Sequence, residues 1–389
     1  MKFIYLIKSY AMKAGVERVM SDKMNYLAAR GHAITLVTYE QGSHPQAFPL
    51  HESIRHVDLG TRFFEIEKYG LVRHLPLLSR LRRVFKDRLQ SIVDEVQPDV
   101  IVSTTYSAKL MDIILSVNTH ARQVVESHVA CFTIKKAYDY RHQFLLRHLA
   151  ALYDKWMLGK LAKADCLIAL TEGDAQDWKQ YISEVLVIPN PVTDFRDEVK
   201  PHDGEGHRIL CVGRLHEQKG FDMLVDAFAL ISEKCPQWWV DIFGDGSQKS
   251  LLLAKIEKYH LNGRITIHPP SPDIYTEYQN SEFLVLSSRY EGFALVLPEA
   301  MSCGIPCVAF DCKYGPRDVI AEGETGLLAA DGNVEDLAEK MLWMVTHKEE
   351  RLRMGRKARE SVCRYQKDVI MQRWIDLFET LSASSLSKS

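Results

Sequence analysis

Two glutamates eight positions apart close the string Glu291-Gly-Phe-Ala-Leu-Val-Leu-Pro-Glu299. The apolar run Phe283 to Leu286 before it reads as a buried parallel strand. Ala294 to Ser302 reads as a helix closed by Gly304, and Ile305 to Phe310 as the next strand. In an open parallel sheet, ligands sit at the carboxyl ends of the strands, where the next helix begins. Glu291 falls in that loop, and Gly292 lets the backbone turn tightly. The N–H groups of Phe293, Ala294 and Leu295 open the helix without intrahelical partners, which suits an anion. Pro298 is tolerated in the first turn, where few N–H groups have partners. Carboxylates accept hydrogen bonds from hydroxyl pairs. A diphosphate at the helix start, with a sugar on one side and a ribose on the other, satisfies all three features. Spacing alone does not decide this, because acidic residues favour helix N-termini for dipole reasons.

A second constellation is Gly213-Arg-Leu-His-Glu-Gln-Lys-Gly220, between the strand Ile209–Val212 and a helix. Arg214 and Lys219 in such a loop can converge on one diphosphate, the Arg as a planar fork and the Lys as a point charge. A solvated basic loop is the ordinary alternative. Gly244-Asp-Gly246 follows the strand Trp239–Phe243 and reads either as a loop beneath a nucleotide or as a simple turn. Near the start, Gly15 precedes the first helix and allows close backbone approach to a ligand. Glu126-Ser-His128 follows the strand Gln123–Val125, and His128 is positioned to bond a sugar hydroxyl or shape an acceptor pocket. No Asp-x-Asp pair is present to hold a divalent ion on a diphosphate, so Arg214, Lys219 and helix N-terminal amides are expected to neutralise that charge, with no metal and no cofactor.

The string around Glu291 resembles the Glu-x7-Glu motif of retaining glycosyltransferases of family 4, which have the two-domain GT-B fold. The resemblance runs on through Ala300-Met-Ser-Cys-Gly-Ile-Pro and Gly315-Pro-Arg-Asp-Val-Ile to Thr325-Gly-Leu-Leu. Gly213–Gly220 is similar to the family's Gly-Arg-Leu-x3-Lys-Gly segment. The resemblance implies that Glu291 contacts the donor sugar and Glu299 holds the ribose. It implies that Arg214 and Lys219 neutralise the departing nucleotide, with the diphosphate also meeting Gly15, Gly244, Phe293, Ala294 and Leu295. The family often carries two glycines where this chain has Ala14-Gly15, and Glu-His where this chain has Glu126-Ser-His128. The region about His268–Tyr275, where nucleobase contacts usually lie, has Pro269-Pro270 in place of the family's Gly. The implied reaction moves a hexose or N-acetylhexosamine, with retention, from a nucleotide donor expected to be UDP-linked to a hydroxyl acceptor. That acceptor is expected to be a lipid-linked or surface glycan of the bacterial polysaccharide and lipopolysaccharide kind. Two alternatives share the architecture: a nucleotide-sugar epimerase, and a non-catalytic sugar-nucleotide-binding partner.

The elements that must position these residues alternate strand and helix. Phe3–Ile7, Ile34–Tyr39, Val100–Thr104, Gln123–Glu126, Cys166–Leu170 and Val185–Ile188 read as strands separated by helical stretches, the first being Val16–Arg30. That rhythm predicts an α/β doubly wound parallel sheet. Asn190-Pro-Val192 and the polar stretch Asp194–Gly206 mark a linker, after which the plan recurs. The expected division is an acceptor-binding Rossmann-like domain over 1–193, a donor-binding domain over 194–366, and a helix over 367–389 that returns to the first domain. After Asn333 the chain reads as helical to Leu381, with Trp374, Leu377, Phe378 and Leu381 at the spacing of one packed face.

A chain of 389 residues with 46% hydrophobic and 26% charged residues has room for two full cores. A net charge of −2 argues against a dedicated nucleic-acid binder. Residues 1–195 carry 25 Lys+Arg against 21 Asp+Glu, and the remainder 24 against 30, so the first half is the one to face something anionic. Eight Cys without CxxC pairs, Cys303, Cys307 and Cys312 among them, read as buried thiols of a reducing cytosol. No run reaches the roughly 20 apolar residues that span a bilayer. Two stretches mix basic and apolar residues at helical spacing. One runs from Arg73 to Leu89. The other has Lys135, Lys136, Arg141 and Arg147 beside Phe144, Leu145, Leu146 and Leu149. A solvated charged face explains either one alone. Together they predict a first domain that docks peripherally on the anionic cytoplasmic leaflet, with Arg80, Arg82 and Arg83 as determinants.

Overall fold

The computed structural model describes residues 1–12, 15–66, 68–135, 144–195, 199 and 202–386. The chain forms two compact units, one of Met1–Ile188 with Met371–Ser389 and the other of Pro189–Ile370.

The first unit is built on a seven-stranded sheet of β1 (Lys2–Ile7), β2 (Ala33–Thr38), β3 (Arg55–Asp58), β4 (Val100–Thr104), β5 (Arg122–Glu126), β6 (Cys166–Ala169) and β7 (Val185–Val187). The order is β3-β2-β1-β4-β5-β6-β7 and the pairings are parallel. Phe3, Ile4, Tyr5 and Leu6 of β1 are all fully buried, as expected of a central strand covered on both faces. β3 escapes a hydrophobic reading because Arg55-His-Val-Asp58 has no buried face; its place is set by its ladder to β2 at the sheet edge.

The second unit carries β8 (Arg208–Val212), β9 (Trp239–Phe243), β10 (Ile265–His268), β11 (Phe283–Leu286), β12 (Cys307–Phe310) and β13 (Gly326–Ala329) in the order β10-β9-β8-β11-β12-β13, again parallel. The order reverses at β8, so the loops after β8 and β11 open side by side, the position where such sheets hold ligands. β12 starts at Cys307 and not at Ile305, because Pro306 has no N–H for the ladder. The stretch predicted as continuous helix from Asn333 divides into Val334–Thr346, Lys348–Ser361 and Lys367–Leu386. The first break falls at His347, whose backbone leaves the helical region (φ −114°, ψ 71°) while its ring stacks on Trp343. The second falls at Gln366, at ψ 144°.

From Met371 onward the last helix belongs to the first unit. Trp374, Leu377 and Phe378 are buried there, and Phe378 meets Phe3 edge-on at 4.8 Å between ring centroids. Cys303, Cys307 and Cys312 are buried free thiols.

The two basic stretches turn out differently. Helix Leu71–Val96 buries Phe85, Leu89 and Val93 and leaves Arg80, Arg83 and Lys86 in solvent. Arg82 is committed within the unit, paired with Asp112 at 2.5 Å and donating to the Lys109 carbonyl at 2.9 Å. This helix is an ordinary packed helix with a solvated face. In the second stretch, Lys136 and Arg141 lie outside the described residues. The helix that follows, Phe144–Leu158, buries Ala150, Asp154, Met157 and Leu158 and exposes Leu145, Leu149, Leu152 and Trp156.

Candidate functional site

In the second unit, two loops are zipped together at the carboxyl edge of the sheet. The first, Gly213–Gly220, leaves β8. Ser287 at the end of β11 donates from Oγ to the Lys219 carbonyl at 3.0 Å. Gly220 lies in the left-handed region (φ 62°), and a Cβ there would stand 2.0 Å from the Ser287 carbonyl oxygen, so only glycine allows the approach. Arg289 forks onto Asp222 at 2.9 and 2.7 Å and donates to the Glu217 carbonyl at 2.6 Å. Burial pushes the Asp222 carboxyl up, but the Arg289 fork outweighs it and holds the pKa below the usual range.

The clamp brings Lys219 and Glu291 together. Lys219 Nζ lies 2.6 Å from Glu291 Oε1, and Ser288 Oγ donates to the same oxygen at 2.6 Å. The side chains are 16% and 7% exposed, so a largely dry carboxylate is held by one ammonium and one hydroxyl. The backbone of Glu291 is fixed from the other side. Its N–H donates to the Lys313 carbonyl at 3.1 Å, and the Tyr314 N–H donates to its carbonyl at 3.3 Å.

The predicted helix start shifts by two residues, to Val296, because Ala294 adopts a left-handed conformation (φ 58°) and Leu295 a right-handed one (φ −48°, ψ −32°). Successive residues of opposite hand point their N–H groups into one concavity, a backbone anion nest. The N–H groups of Phe293, Ala294 and Leu295 have no hydrogen-bond acceptor among the described residues. Glu299 lies in the first turn of helix Val296–Ser302, where its Oε2 accepts from the hydroxyl of fully buried Tyr278 at 3.0 Å. Burial first, and Glu299 second, push the Tyr278 hydroxyl pKa well up, so Tyr278 remains a donor.

Arg214 is exposed, and its guanidinium makes no ion pair or hydrogen bond with a described residue. Its loop is held from below by Gly244-Asp-Gly246. A Cβ on Gly244 would meet the Gly213 carbonyl oxygen at 1.9 Å, and the Leu215 N–H donates to the Asp245 carbonyl at 2.8 Å. The two glycines thus permit close packing of one loop on the other.

The remaining predicted residues belong to the first unit. Gly15 opens helix Gly15–Ala28 and is exposed; Lys13 and Ala14 lie outside the described residues. His128 is buried, with Nε2 3.1 Å from Glu126 Oε2. That oxygen also meets Lys23 Nζ at 2.5 Å, and Lys23 lies 3.7 Å from the Trp374 ring centroid. Burial pushes the Glu126 carboxyl up, but Lys23 and His128 outweigh it and keep the carboxylate charged. The following turn is tethered by Asp174, which accepts from the Cys131 N–H at 2.7 Å and the Trp178 indole N–H at 3.0 Å. Burial pushes Asp174 up to about 6.

Sequence reasoning missed Ser288, Arg289, Tyr278 and Lys23. Ser288 and Arg289 had a signal, since they follow β11 directly at its carboxyl end. Lys23 had one too: it shares a helix face with Val19, Met20, Met24 and Leu27, all buried. Nothing in the sequence marks Tyr278.

Comparison with known proteins agrees with this layout. Residues 14–194 match the family described as Glycosyltransferase Family 4, and residues 192–361 match Glycosyl transferases group 1. The chain is 24% identical over 375 residues to an uncharacterized glycosyltransferase of Haemophilus influenzae, covering 96% of this chain and 98% of that protein. It is 34% identical over 177 residues to the amylovoran biosynthesis glycosyltransferase AmsD of Erwinia amylovora, a match spanning 44% of this chain and 48% of that one. Among solved structures, a point mutant of S. aureus TarM in complex with fondaparinux, α-GlcNAc-glycerol and UDP superposes with a TM-score of 0.75 at 16% identity, covering 97% of this chain and 99% of that one.

Proposed function

This chain is a glycosyltransferase of the family 4 type with the two-unit GT-B fold, and from that premise we propose that it is a retaining, metal-independent hexosyltransferase using a UDP-sugar. The observation that carries the reading is the dry Lys219–Glu291–Ser288 cluster beside the N–H groups of Phe293, Ala294 and Leu295, which have no acceptor among the described residues. The nest offers neutral donors to a diphosphate, while Arg214 and Lys219 offer the two positive charges that otherwise come from a divalent ion. Glu291 accepts from a hydroxyl of the donor sugar. Glu299, oriented by Tyr278, accepts from the ribose hydroxyls. With the diphosphate leaving on the face that the acceptor hydroxyl attacks, the departing oxygen takes the acceptor's proton and configuration is kept. Buried His128 is given no proton-transfer role; with Gly15 it is assigned to shaping the substrate-facing edge of the first unit. UDP is favoured as the nucleotide because it occupies the TarM complex. The acceptor is a lipid-linked or surface glycan, met by the first unit at an anionic cytoplasmic leaflet.

Incubation with UDP-glucose, UDP-galactose and UDP-N-acetylglucosamine, each with and without excess EDTA, tests the donor. Slow release of UDP that survives EDTA supports the reading, and NMR of the released sugar should first show the α anomer. Loss of activity restored by Mg²⁺ or Mn²⁺ refutes metal independence. Conversion of the donor to a new UDP-sugar without UDP release identifies an epimerase instead.

A further inference from the structure

Helix Phe144–Leu158 is turned inside out relative to a normal surface helix. Ala150, Asp154, Met157 and Leu158 face the unit's core, which fixes the rotation of the helix. On the other side, Leu145, Leu149, Leu152 and Trp156 are 72%, 59%, 68% and 62% exposed. Their spacing of four, three and four residues makes one continuous stripe, roughly 16 Å long at the helical rise. Scattered exposed leucines need no explanation, but a stripe of four on one helix marks an interaction face.

The charges around the stripe decide what it meets. Lys155 is exposed and flanks the stripe three residues after Leu152, while exposed Arg147, two residues from Leu145 and from Leu149, lies on the opposite side of the helix. Lys160, just beyond it, places Nζ 3.9 Å from the Trp156 ring centroid and shares the Asp112 carboxylate with Arg82, 3.7 Å from its Oδ1. The helix has one carboxylate, Asp154, and it is buried. The face therefore presents apolar side chains flanked by Lys155 and Lys160, with no carboxylate of its own helix among them. A second copy docked about a twofold axis would set these cations against themselves. An anionic bilayer complements both parts: acyl chains take the leucines, headgroups meet the cations, and an indole at the end of the stripe suits the interfacial layer.

We propose that the Leu145–Leu149–Leu152–Trp156 face is the surface by which the first unit inserts into an anionic membrane leaflet. The assignment moves the determinants off helix Leu71–Val96, whose apolar face is packed and whose Arg82 is already paired. It rests on the membrane part of the reading above and is independent of donor chemistry. No helix among the described residues is long and apolar enough to cross a membrane, so the contact is in-plane.

The full chain is sedimented with vesicles of phosphatidylcholine, with and without about a third phosphatidylglycerol. Binding is expected to the anionic vesicles only, and to weaken at high salt. Leu149→Ser/Leu152→Ser and Trp156→Ala should each weaken binding at least about tenfold. Arg80→Glu/Arg83→Glu, on the packed helix, should weaken it less than about threefold. All altered side chains are exposed, so circular dichroism and thermal melting should match the parent. If the unaltered chain ignores anionic vesicles, the membrane reading itself falls. If it binds but the stripe variants bind equally well, this surface assignment falls while the membrane reading stands. A concentration-dependent dimer in sedimentation velocity, lost in the stripe variants, would make the face a homodimer contact and overturn the proposal. UDP release measured without vesicles reports separately on the catalytic reading.

Discussion

Glu291 holds the ammonium of Lys219, which the proposed function also assigns to the donor diphosphate. Lys219 Nζ cannot sit at 2.6 Å from Glu291 Oε1 and also be fully given to a phosphate. A charged hydrogen bond of this kind contributes about 1.5–3 kcal/mol net. Lys219→Met deletes it and leaves a nearly buried carboxylate with Ser288 as its remaining side-chain partner, so unfolding in urea should show a loss of about 2–3 kcal/mol. Glu291→Gln keeps the Ser288 hydrogen bond and removes the charge, and should cost about 1 kcal/mol. The double variant should be less unstable than the sum of the two by about 1–2 kcal/mol, the coupling expected of a direct pair. Function should diverge from stability. Glu291→Gln frees Lys219, so bare UDP should bind as tightly or up to about tenfold tighter by calorimetry. Turnover of the UDP-sugar should meanwhile fall at least about 100-fold, because the sugar contact is lost. Lys219→Met should weaken both. If Glu291→Gln weakens bare UDP as much as Lys219→Met does, Glu291 does not compete for the ammonium and its assignment to the sugar is wrong. Strict additivity in the stability cycle would mean that the pair does not form in solution.

Arg214→Ala should lower turnover at least about tenfold with little change in melting temperature, since the guanidinium has no ion pair or hydrogen bond among the described residues and the proposed function places it where charge develops. Tyr278→Phe should raise the UDP dissociation constant by about three- to tenfold through loss of Glu299 orientation, and Glu299→Gln should do so by more; uridine, which carries the ribose without the diphosphate, should show the same ordering in a thermal-shift titration. Asp174 gives a pH signature. Its folded pKa, raised to about 6 from 3.8, means that the folded state binds the proton more tightly, so its contribution is full below pH 3.8 and is lost as pH rises to about 6. The unfolding free energy of Asp174→Asn minus that of the parent should therefore rise with pH by about 3 kcal/mol across that window, and a flat difference would show that the carboxyl is not raised.

Where the sequence pattern and the physics were both strong, the fold could be read directly. β4, β9 and β11 stand at the predicted residues because each is a short, mostly apolar strand buried at every position but Trp239 at the start of β9. β3 could not be read, because it has no apolar face and owes its existence to pairing with β2. The helix start at Ala294 was missed by two residues, because nothing in Phe293-Ala-Leu295 announces a left-handed alanine; loop closure onto Gly315, where a Cβ would lie 3.1 Å from the Phe293 carbonyl carbon, accompanies it. At the site, residue types and spacing pointed to Glu291, Lys219 and Arg214. Their partners, Ser288 and Tyr278, come from tertiary packing that no local pattern encodes. The basic–apolar helices show the same limit. Periodicity gave the composition of each helix face, and only the packed structure shows which face each one turns outward.

The first unit is discontinuous along the chain. Trp374 stacks on the Lys23 ammonium, Phe378 covers Phe3, and the Leu381 carbonyl accepts from Arg122, yet all three come after the whole of Pro189–Ile370. During synthesis the seven-stranded sheet therefore emerges without its last cover, and waits about 10–40 s at ordinary translation rates while the second unit is made. The second unit is continuous in sequence and can close first. The usual order of a growing chain is inverted: the stretch made last, from Met371, completes the unit made first, and a chain cut short near residue 370 would carry a complete second unit tethered to an unfinished sheet with Lys23 uncovered.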